Sequence, residues 1–534
     1  MKNVVTHWNN SGWESDSETQ IMVHGSAFHG DKLLRGRQLA TVFGEAEPGP
    51  DAWVDLLSQC NGFFAIARYS TSATLVAVDR VRSIPVFYGQ QGGTVFISDE
   101  ADWVRQRVGD TEMEPVAREE FQLAGYVTGS DTLYPNVKQL QAGELLHIVD
   151  GEQTELTTHR WYRFTHSEPE HWSEAKLRDG LEQVAESSIR RLAEYAAGRQ
   201  IVVPLSGGYD SRLIASLLKR IGYHNILTFT YGVPGNKQSK YSRRVAEALS
   251  VPWHFVEYTE SKWREAWQTD ERFAFQRWSS GWASLPHVQD WLAVRQLKAD
   301  GIIAEDVVFC PGHTGDFIAG GHIPDDFTLG QPVGSLDVIR SVFKNHLSLA
   351  PWDLITNRAE TYWSGRVADR AEAGTIATAS AAVDAYEKWE WQERQAKFIV
   401  NSVRVYEFYG HDWWLPLWDA EFVSFWQEVP LYLRKGKKWY TGYVRGLGAA
   451  HGAHPNRSAS DRSFILAWAK VIVGKQAIRM LSSRWQRLKG RTHVCMPYAR
   501  FEQELIDDLF KKGYRFNGVE AFVFLSEMSR NEFN

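Results

Sequence analysis

The stretch from Ile201 to Leu218 reads IVVPLSGGYDSRLIASLL. Its first part is an apolar run, and its second part carries apolar residues at helical spacing, which predicts a strand, a short loop and an amphipathic helix. Gly222 is placed to end that helix in a left-handed turn. The strand-like segment NILTFTYG follows, so the order predicts a parallel α/β sheet with a ligand at the carboxyl end of the first strand. Because proline lacks a ladder donor, we expect Pro204 at the last hydrogen-bonding position of its strand.

The SGGYDS loop has the chemistry of an anion site. Its glycines allow a ligand to approach backbone N–H groups, and the positive end of the helix dipole lies behind them. Ser206 and Ser211 add hydroxyl donors, and Asp210 places one carboxylate where a Mg²⁺ ion bridging phosphates would sit. The loop is neither a Walker A loop nor a Rossmann GxGxxG. The alternative is a strand-to-helix turn that uses its glycines for geometry alone.

Length and composition limit the classes of protein that remain. The chain has 534 residues, 43% of them hydrophobic, and a formal net charge of -6, so we expect two or three soluble domains and no nucleic-acid partner. The sequence shows neither a signal peptide nor an apolar stretch long enough to span a membrane, which predicts a cytoplasmic location. Cys60, Cys310 and Cys495 form no CxxC pair and are expected to be buried apolar residues.

Three segments together resemble a known family. SGGYDS resembles the pyrophosphate-binding PP-loop of ATP pyrophosphatases, and specifically the synthetase domain of the asparagine synthetases. TFTYG is similar to the second strand of that domain, in which the residue before the glycine lines the adenine. EDVVFCPGHTGDFIAGGH is similar to its Ser-Gly-Glu-Gly-x-Asp-Glu-x-x-Gly-Gly string, and Gly312, Asp316, Gly320 and Gly321 align with it.

The resemblance implies a site for ATP and Mg²⁺. In this site, Asp210 and Asp316 hold the metal. His313 and Phe317 replace two acidic residues of the family string, which implies either a weaker hold on one metal or a contact of His313 with pyrophosphate. The residues assigned to the nucleotide are Leu205, Ser206, Gly207, Gly208, Asp210, Ser211, Tyr231, Pro311 and Gly312.

A basic segment further along supplies the expected catalytic cation. PLWDAEFVSFWQEVPLYLRKGKKWYTGYVRG resembles the family's Pro-Phe-Leu-Asp segment, which leads to a lysine shortly before an arginine. A positioned cation stabilises the charge that develops on the α-phosphate and pyrophosphate during adenylation. Lys438 is the predicted catalytic residue, Lys437 is the second choice, and Arg445 fits the arginine. The alternative is a solvated basic turn.

The first part of the chain shows short runs of β-formers separated by turns, which predicts antiparallel hairpins. CNGFFAIARYS, DRVRSIPVFY and FISDE resemble the N-terminal glutaminase domain of the same family. The expected fold is therefore an α+β, Ntn-hydrolase-like domain with stacked antiparallel sheets over residues 1–165. An α/β PP-loop, Rossmann-like domain with a parallel sheet and a helical extension is expected over residues 173–534, with Ser173 capping a helix that runs to Gly198.

A working glutaminase of this type needs a cysteine at its mature N-terminus, because the thiol is the nucleophile and the free amine is the base. This chain begins Met1-Lys2-Asn3-Val4 and has no cysteine before Cys60. We therefore expect a degenerate glutaminase domain that does not take ammonia from glutamine.

The resulting hypothesis is an ATP-dependent, AMP- and pyrophosphate-forming amide-bond synthetase. Its partners would be a small-molecule or peptide carboxylate and an amine donor, with a homodimer as one expected assembly. The family's segment before Pro-Phe-Leu-Asp normally ends in Glu-x-Arg, and this chain has Asp412-Trp413-Trp414 there. The loss of a cation and the gain of aromatic side chains favour a substrate larger or less charged than aspartate. The alternatives are a silent nucleotide-binding scaffold, a macrolactam or β-lactam-type cyclase with an internal amine, and a tRNA-modifying PP-loop enzyme.

Residues 463–491 contain seven basic and no acidic residues among apolar ones. This pattern predicts peripheral contact with an anionic surface. The alternative is a C-terminal helix with a solvated basic face. The sequence does not name the carboxylate or the amine.

Overall fold

The computed structural model describes residues 4–9, 12–47, 49–70, 73–149, 151, 154–327, 330, 332–449 and 501–531. Its N-terminal strands are β1 Val4–His7, β2 Trp13–Asp16, β3 Ile21–His29, β4 Lys32–Arg35, β5 Cys60–Tyr69, β6 Ala73–Val78, β7 Phe87–Gln91, β8 Thr94–Ser98, β9 Lys138–Gln139, β10 Glu144–Val149 and β11 Glu155–Arg160. They form two sheets, one with the order β1-β8-β7-β9 and one with the order β11-β10-β6-β5-β3-β2, to which β4 is added beside β3. All pairs are antiparallel except β1 with β8.

The two N-terminal sheets pack face to face because their strands alternate two sets of apolar residues. In β5, Ala65 and Ala67 face the first sheet, where they join a cluster with Val95 and Ile97 of β8. The other face of the same strand packs on Gly36–Gly44 and Pro50–Gln59, two helices that cover the second sheet. The predicted α+β domain with stacked antiparallel sheets is confirmed.

The remaining part of the chain is built on a five-stranded parallel sheet. Its strands are β12 Gln200–Pro204, β13 Ile226–Gly232, β14 Trp253–Glu257, β15 Val307–Phe309 and β16 Asp412–Trp413. The order is β14-β13-β12-β15-β16, and every pair is parallel. Strand β12 is central and its apolar run is fully buried, as expected for a sheet covered on both faces. The predicted parallel α/β domain is therefore confirmed.

The helices surround these sheets. Those of the N-terminal part are Gly36–Gly44, Pro50–Gln59, Ala101–Val108 and Pro115–Ala124. Those that follow are Glu174–Ala196, Asp210–Arg220, Lys237–Leu249, Glu260–Trp267, Asp270–Ser280, Trp291–Ala299, Gly315–Ile318, Ser335–Asn345, Trp352–Ile355, Glu360–Arg370, Ala379–Trp389, Arg404–Phe408, Ala420–Glu428, Leu431–Arg434, Lys438–Ala449, Gln503–Lys512 and Phe516–Asn531. Glu390–Ile399 is a π-helix, and Val400–Val403, Pro416–Trp418 and Lys435–Lys437 are 3₁₀ turns.

The segment from Ile201 to Leu218 folds as predicted. Pro204 is the last residue of β12, so its missing N–H removes no donor from the sheet interior. The helix runs over Asp210–Arg220 and buries its apolar face. Gly222 follows with φ 79°, which is the expected left-handed turn. Ser173 caps the preceding helix by accepting a hydrogen bond from the backbone N–H of Lys176.

One expectation about packing is wrong. The helices after about residue 326 are expected to pack on the second domain, but the last of them, Phe516–Asn531, packs on Pro115–Ala124 of the first domain, with Phe121 and Phe524 stacked at 5.6 Å. Trp413 and Trp414 are buried against Phe63, an N-terminal residue, with ring centroids at 5.3 and 4.8 Å. These tryptophans join the two domains and give no information about the size of a substrate.

The basic segment 463–491 lies outside the described residues, so its predicted contact with an anionic surface stays a prediction. Within the part of the chain that the structure describes, no helix has the length and apolar character needed to cross a membrane.

A buried carboxylate joins the two domains at the start of the helix Ala420–Glu428. Asp419 caps this helix by accepting hydrogen bonds from the backbone N–H groups of Glu421 and Phe422. It also accepts two hydrogen bonds from Arg191, at 2.6 and 2.9 Å, and one from Asn61 of β5 at 3.0 Å. The Asp419 side chain has no exposed surface, so its charge is compensated by these groups alone.

We predict that Asp419→Ala lowers the free energy of unfolding by about 3 kcal/mol, because it leaves Arg191 without its buried partner and the helix without its cap. Glu421→Ala is the matched control, since Glu421 also pairs with Arg191 but is 57% exposed. Its expected cost is below about 1 kcal/mol. Chemical denaturation measures both, and equal losses in the two variants would contradict the prediction.

Candidate functional site

Two glycine-containing loops meet at the carboxyl edge of the parallel sheet. The first follows β12 and the second follows β15, and the two strands are neighbours in which the Cys310 N–H donates to the Val202 carbonyl at 2.9 Å. A Cβ on Gly312 would lie 2.5 Å from the backbone nitrogen of Ser211, and a Cβ on Gly315 would lie 2.5 Å from Cγ of Asp210. Only glycine at these two positions lets the loops pack so closely.

The first loop holds its shape through short-range hydrogen bonds. The Ser206 N–H donates to the Ser211 hydroxyl at 3.2 Å, and the Gly208 N–H donates to the Ser206 hydroxyl at 3.1 Å. Ser206 and Gly208 are exposed and Gly207 is partly exposed, whereas Leu205 and Ser211 are buried below them. The predicted anion-binding residues therefore form one open loop at a helix N-terminus, which is the geometry that favours phosphate.

Four side chains form a polar cluster where the two loops touch. Asp210 accepts a hydrogen bond from the Tyr440 hydroxyl at 2.8 Å and one from the backbone N–H of Asp316. Lys437 donates to the carboxylate of Asp316. The structure thus brings together the two aspartates that the sequence assigns to the metal, with one lysine beside them.

Asp316 also perturbs Asp210. Burial and the neighbouring Asp316 raise the pKa of Asp210 to about 7, although Tyr440 and Lys437 act to lower it. Excess negative charge of this kind fits a hard divalent cation, because carboxylate oxygens are the ligands that Mg²⁺ prefers. Asp210 and Asp316 are the residues that would hold Mg²⁺. Among the described residues, no group of three or more His, Cys, Asp or Glu side chains forms an alternative metal site.

The lysine in the cluster is Lys437 rather than Lys438. Lys438 is exposed at the start of the next helix, whereas the Lys437 side chain is 28% exposed and pairs with Asp316. The residues before it are fixed by Arg434, which is fully buried, donates to the Ile318 carbonyl and pairs with Glu387. This anchoring sets the register that the sequence leaves open, and it places the second-choice lysine in the site.

The departures from the family string have structural consequences. Burial, with a smaller contribution from His287, lowers the pKa of His313 to about 4 despite the opposing effect of Asp290. The imidazole is therefore neutral near pH 7 and supplies no cation. Phe317 is buried and packs on Phe164 with centroids at 4.9 Å, so it serves the core.

A third departure is Thr314, which stands at the second glycine of the family string. The structure shows that its backbone has φ 82°. A β-branched residue in this left-handed region is strained, and such strain is commonly held at functional loops. Its hydroxyl lies 3.5 Å from the Gln395 amide oxygen.

Tyr231 lies where the resemblance expects the adenine, at the carboxyl end of β13. Its hydroxyl donates to Asp290, and its ring stacks on Tyr258 with centroids at 5.1 Å. Pro311 is buried beside Gly312 on the second loop. The residues assigned to the nucleotide therefore come from three adjacent strands and face the same edge of the sheet.

Sequence reasoning missed one contributor, Tyr440, and named a second, Arg445. Tyr440 reaches Asp210 from a helix more than two hundred residues away along the chain, and nothing in WYTGY signals a partner for a loop aspartate. Arg445 donates two hydrogen bonds to the Tyr209 hydroxyl of the first loop, at 3.0 and 2.8 Å. The position of Arg445 in the family progression was the signal for a role near the loop.

Comparisons with known proteins follow the same division of the chain. The family model of a glutamine amidotransferase domain matches residues 51–162, and the asparagine synthase model matches residues 180–445. A tRNA-specific 2-thiouridylase MnmA of Bartonella bacilliformis is 38% identical over 79 residues, which are 12% of this chain and 20% of that protein. The chain thus matches about a fifth of the length of this curated relative.

Similar solved structures include a glutamine phosphoribosylpyrophosphate amidotransferase from B. subtilis, at 13% identity and a TM-score of 0.19 over 56% of this chain and 63% of that one. Another is an NMN synthetase from Francisella tularensis, at 14% identity and a TM-score of 0.21 over 42% of this chain and 97% of that one.

The raised pKa of Asp210 predicts a pH-dependent stability of the metal-free protein. The ordinary aspartate pKa is 3.8 and that of Asp210 is about 7, so between these values the folded state binds more protons than the unfolded state. Ionised Asp210 therefore destabilises the fold progressively as pH rises through this window. Asp210→Asn removes the effect, and we predict that its stability gain over the parent grows to on the order of 2 kcal/mol by pH 7, after a discount for solvent screening.

Thermal unfolding in a chelator, without nucleotide, measures this gain across the pH range. Asp353→Asn is the control, because Asp353 is exposed on the surface and its replacement should give no pH-dependent difference. A gain for Asp210→Asn that is constant with pH would contradict the assignment.

Proposed function

Since this chain has an asparagine synthetase-like architecture, with a glutamine amidotransferase domain followed by an asparagine synthase domain, we propose that it is an ATP-dependent C–N ligase. The proposed reaction activates a substrate carboxylate as an acyl-adenylate and transfers the acyl group to an amine. The products would be an amide, AMP and pyrophosphate.

The observation that carries the proposal is the contact between the two loops. An open anion-binding loop, two facing aspartates and a lysine lie within one cluster at the edge of a parallel sheet. Each half of this cluster alone is a common loop feature. Together they supply phosphate donors, carboxylates for Mg²⁺ and a cation, which are the parts that phosphoryl and adenylyl transfer needs.

The chain's own residues have separate roles in this scheme. The loop Ser206–Ser211 binds the pyrophosphate portion of ATP through backbone N–H groups and hydroxyls, while Tyr440 orients Asp210. Mg²⁺ held by Asp210 and Asp316 would neutralise charge on the triphosphate. Lys437 stabilises the negative charge that grows as the bond between the α-phosphorus and the departing pyrophosphate breaks.

Neither of the two proposed steps needs a reactant other than the carboxylate, ATP and the amine. A carboxylate oxygen of the substrate attacks the α-phosphorus, and pyrophosphate leaves. The amine nitrogen then attacks the activated carbonyl carbon, the bond from that carbon to the AMP oxygen breaks, and the nitrogen releases a proton to solvent.

We further propose that the amine does not come from glutamine hydrolysis within this chain. Both cysteines in the described residues are buried, and burial raises the pKa of Cys60 to about 12 and that of Cys310 well above its usual range. Neither thiol is therefore ready to act as a nucleophile near neutral pH. The expected degenerate glutaminase domain agrees with these environments.

Carboxylate-dependent exchange of labelled pyrophosphate into ATP tests the ligase reaction. A broad panel of carboxylates should contain at least one that supports exchange. Absence of exchange with the whole panel, together with absence of ATP binding, would reject the proposal. For an active carboxylate, amide formation with ammonia but not with glutamine would support the glutaminase proposal, and turnover with glutamine alone would refute it.

The two adjacent lysines provide a matched pair of variants. We predict that Lys437→Ala lowers the exchange rate by about a hundredfold or more, because it removes the cation beside Asp316. Lys438→Ala should change the rate by less than about threefold, because this side chain is exposed and points to solvent-accessible surface. Exchange kinetics at saturating ATP measure both, and the reverse order of effects would restore Lys438 as the catalytic residue.

A further inference from the structure

A polar cleft of about 390 Å³ opens beside the nucleotide site. One wall is the segment that follows the second loop, and it includes His322. The opposite wall comes from the helices Ser335–Asn345 and Ala379–Trp389 and from the first turns of the π-helix Glu390–Ile399. None of the residues assigned to ATP or Mg²⁺ lines this cleft, so it is a separate space.

The cleft contains a buried carboxylate that is only half satisfied. Glu390 is 1% exposed, and its Oε1 accepts hydrogen bonds from His322, from Arg394 at 2.9 Å and from Gln395 at 3.1 Å. Its Oε2 is buried without a hydrogen-bond partner, and His346 Nε2 lies 3.9 Å away. A buried acceptor left in this state is costly unless a ligand or water pairs with it.

The protonation states around Glu390 determine which chemical group of a ligand can pair with Oε2. Burial acts to raise the pKa of Glu390, but His322, His346 and Arg394 outweigh it and hold the pKa well below its usual range. Burial lowers the pKa of His346 to about 4, so this imidazole is neutral near pH 7. An ionised carboxylate beside a neutral histidine has room for a hydrogen-bond donor, and an ammonium group is the donor that also matches its charge.

The mouth of the cleft carries positive charge, whereas Glu390 at its floor is negative. Lys344 and Arg394 are cations among the lining residues, with side chains 72% and 31% exposed. Lys344 pairs with Asp326 at 3.6 Å and Arg394 with Glu390 at 2.9 Å. Asp325 is the other carboxylate in the lining. Cations at the mouth and an anion at the floor match a ligand with an anionic group at one end and an ammonium group at the other.

The cleft lies next to the site of the proposed chemistry. Gly321 lies in its wall, and the Gly321 N–H donates to the Asp316 carbonyl at 2.7 Å. A Cβ on Gly321 would lie 3.1 Å from Cδ of Lys437, so the other side of this wall is the lysine–aspartate pair. A ligand in the cleft is therefore separated from the adenylation site by a single stretch of backbone.

We propose that this cleft binds an amine-bearing organic anion, with its ammonium group on Glu390 Oε2 and its carboxylate or phosphate toward Arg394 and Lys344. Its role as the amine donor rests on the ligase function proposed above, whereas its binding does not.

Four small probes separate the two parts of this recognition. Glycine and phosphoethanolamine carry both an ammonium group and an anion, ethanolamine carries only the ammonium group, and N-acetylglycine carries only the anion. Saturation-transfer NMR and calorimetry with the full chain, without ATP, measure their affinities. We expect at least one of the first two probes to bind about tenfold or more tightly than both others, and the preferred anion identifies carboxylate or phosphate.

Variants locate the binding in the cleft. Glu390→Gln should weaken the preferred probe about tenfold or more, because the ammonium group loses its charged partner. Arg394→Ala should reduce the preference for an anion over ethanolamine. Glu360→Gln is the matched control, since Glu360 is exposed on a nearby helix, and it should leave every affinity unchanged. Thermal unfolding of each variant confirms that it is folded.

The proposal is overturned if none of the probes binds, or if N-acetylglycine binds as tightly as glycine and phosphoethanolamine. It is also overturned if folded Glu390→Gln keeps the parent affinity. Because these measurements contain no ATP, they are independent of pyrophosphate exchange. Selective probe binding without pyrophosphate exchange would support the proposed binding site and count against the ligase reaction. Exchange without selective probe binding would support the ligase reaction and overturn the proposed binding site.

Discussion

The nucleotide site depends on the parallel pairing of β12 with β15. Val202 and Phe309 are aligned in this pair, so the two strands end at the same edge of the sheet and their loops leave it side by side. Backbone hydrogen bonding thus fixes the separation of two loops that are about a hundred residues apart in sequence. The contact is closed by Gly312 and Gly315, where a side chain would collide with the neighbouring loop. The backbone brings the two aspartates together at an energetic cost. Burial of Asp210 first, and the charge of Asp316 second, raise the pKa of Asp210.

The lysine reaches this pair through a second constraint, the burial of Arg434. This guanidinium has no exposed surface and is held by Glu387 and the Ile318 carbonyl. A buried ion pair contributes little net stability against its desolvation cost, but it strongly penalises any arrangement in which one partner is lost. Its effect here is to fix the segment after Leu431 against the second loop. Lys437 then lies beside Asp316, and Lys438, one residue later, lies on the surface.

The π-helix Glu390–Ile399 connects several of these features. Glu390 lies at the floor of the polar cleft, and Gln395 lies beside strained Thr314 of the second loop. Lys397 is fully buried and donates to the carbonyls of Val127 and Gly129 in the first domain. π-helices are rare and are frequent at functional sites. The π-helix therefore places one side chain in the cleft, one beside the second loop and one in the first domain. Through Lys397, the amidotransferase-like domain contacts the same short element that lines the synthetase-like site.

The sequence by itself determined the strand, loop and helix of the first motif, the alternating strands of the N-terminal sheets and the two aspartates. Local patterns carry this information, because periodicity, glycine and capping residues act within a few positions along the chain. The tertiary structure alone decided which lysine enters the site, that Tyr440 binds Asp210, that Trp413 and Trp414 pack between domains, and that Glu390 has an unpaired oxygen in a cleft. These outcomes depend on side chains that meet from distant segments, and one residue of register in such a segment decides whether a side chain is buried or exposed.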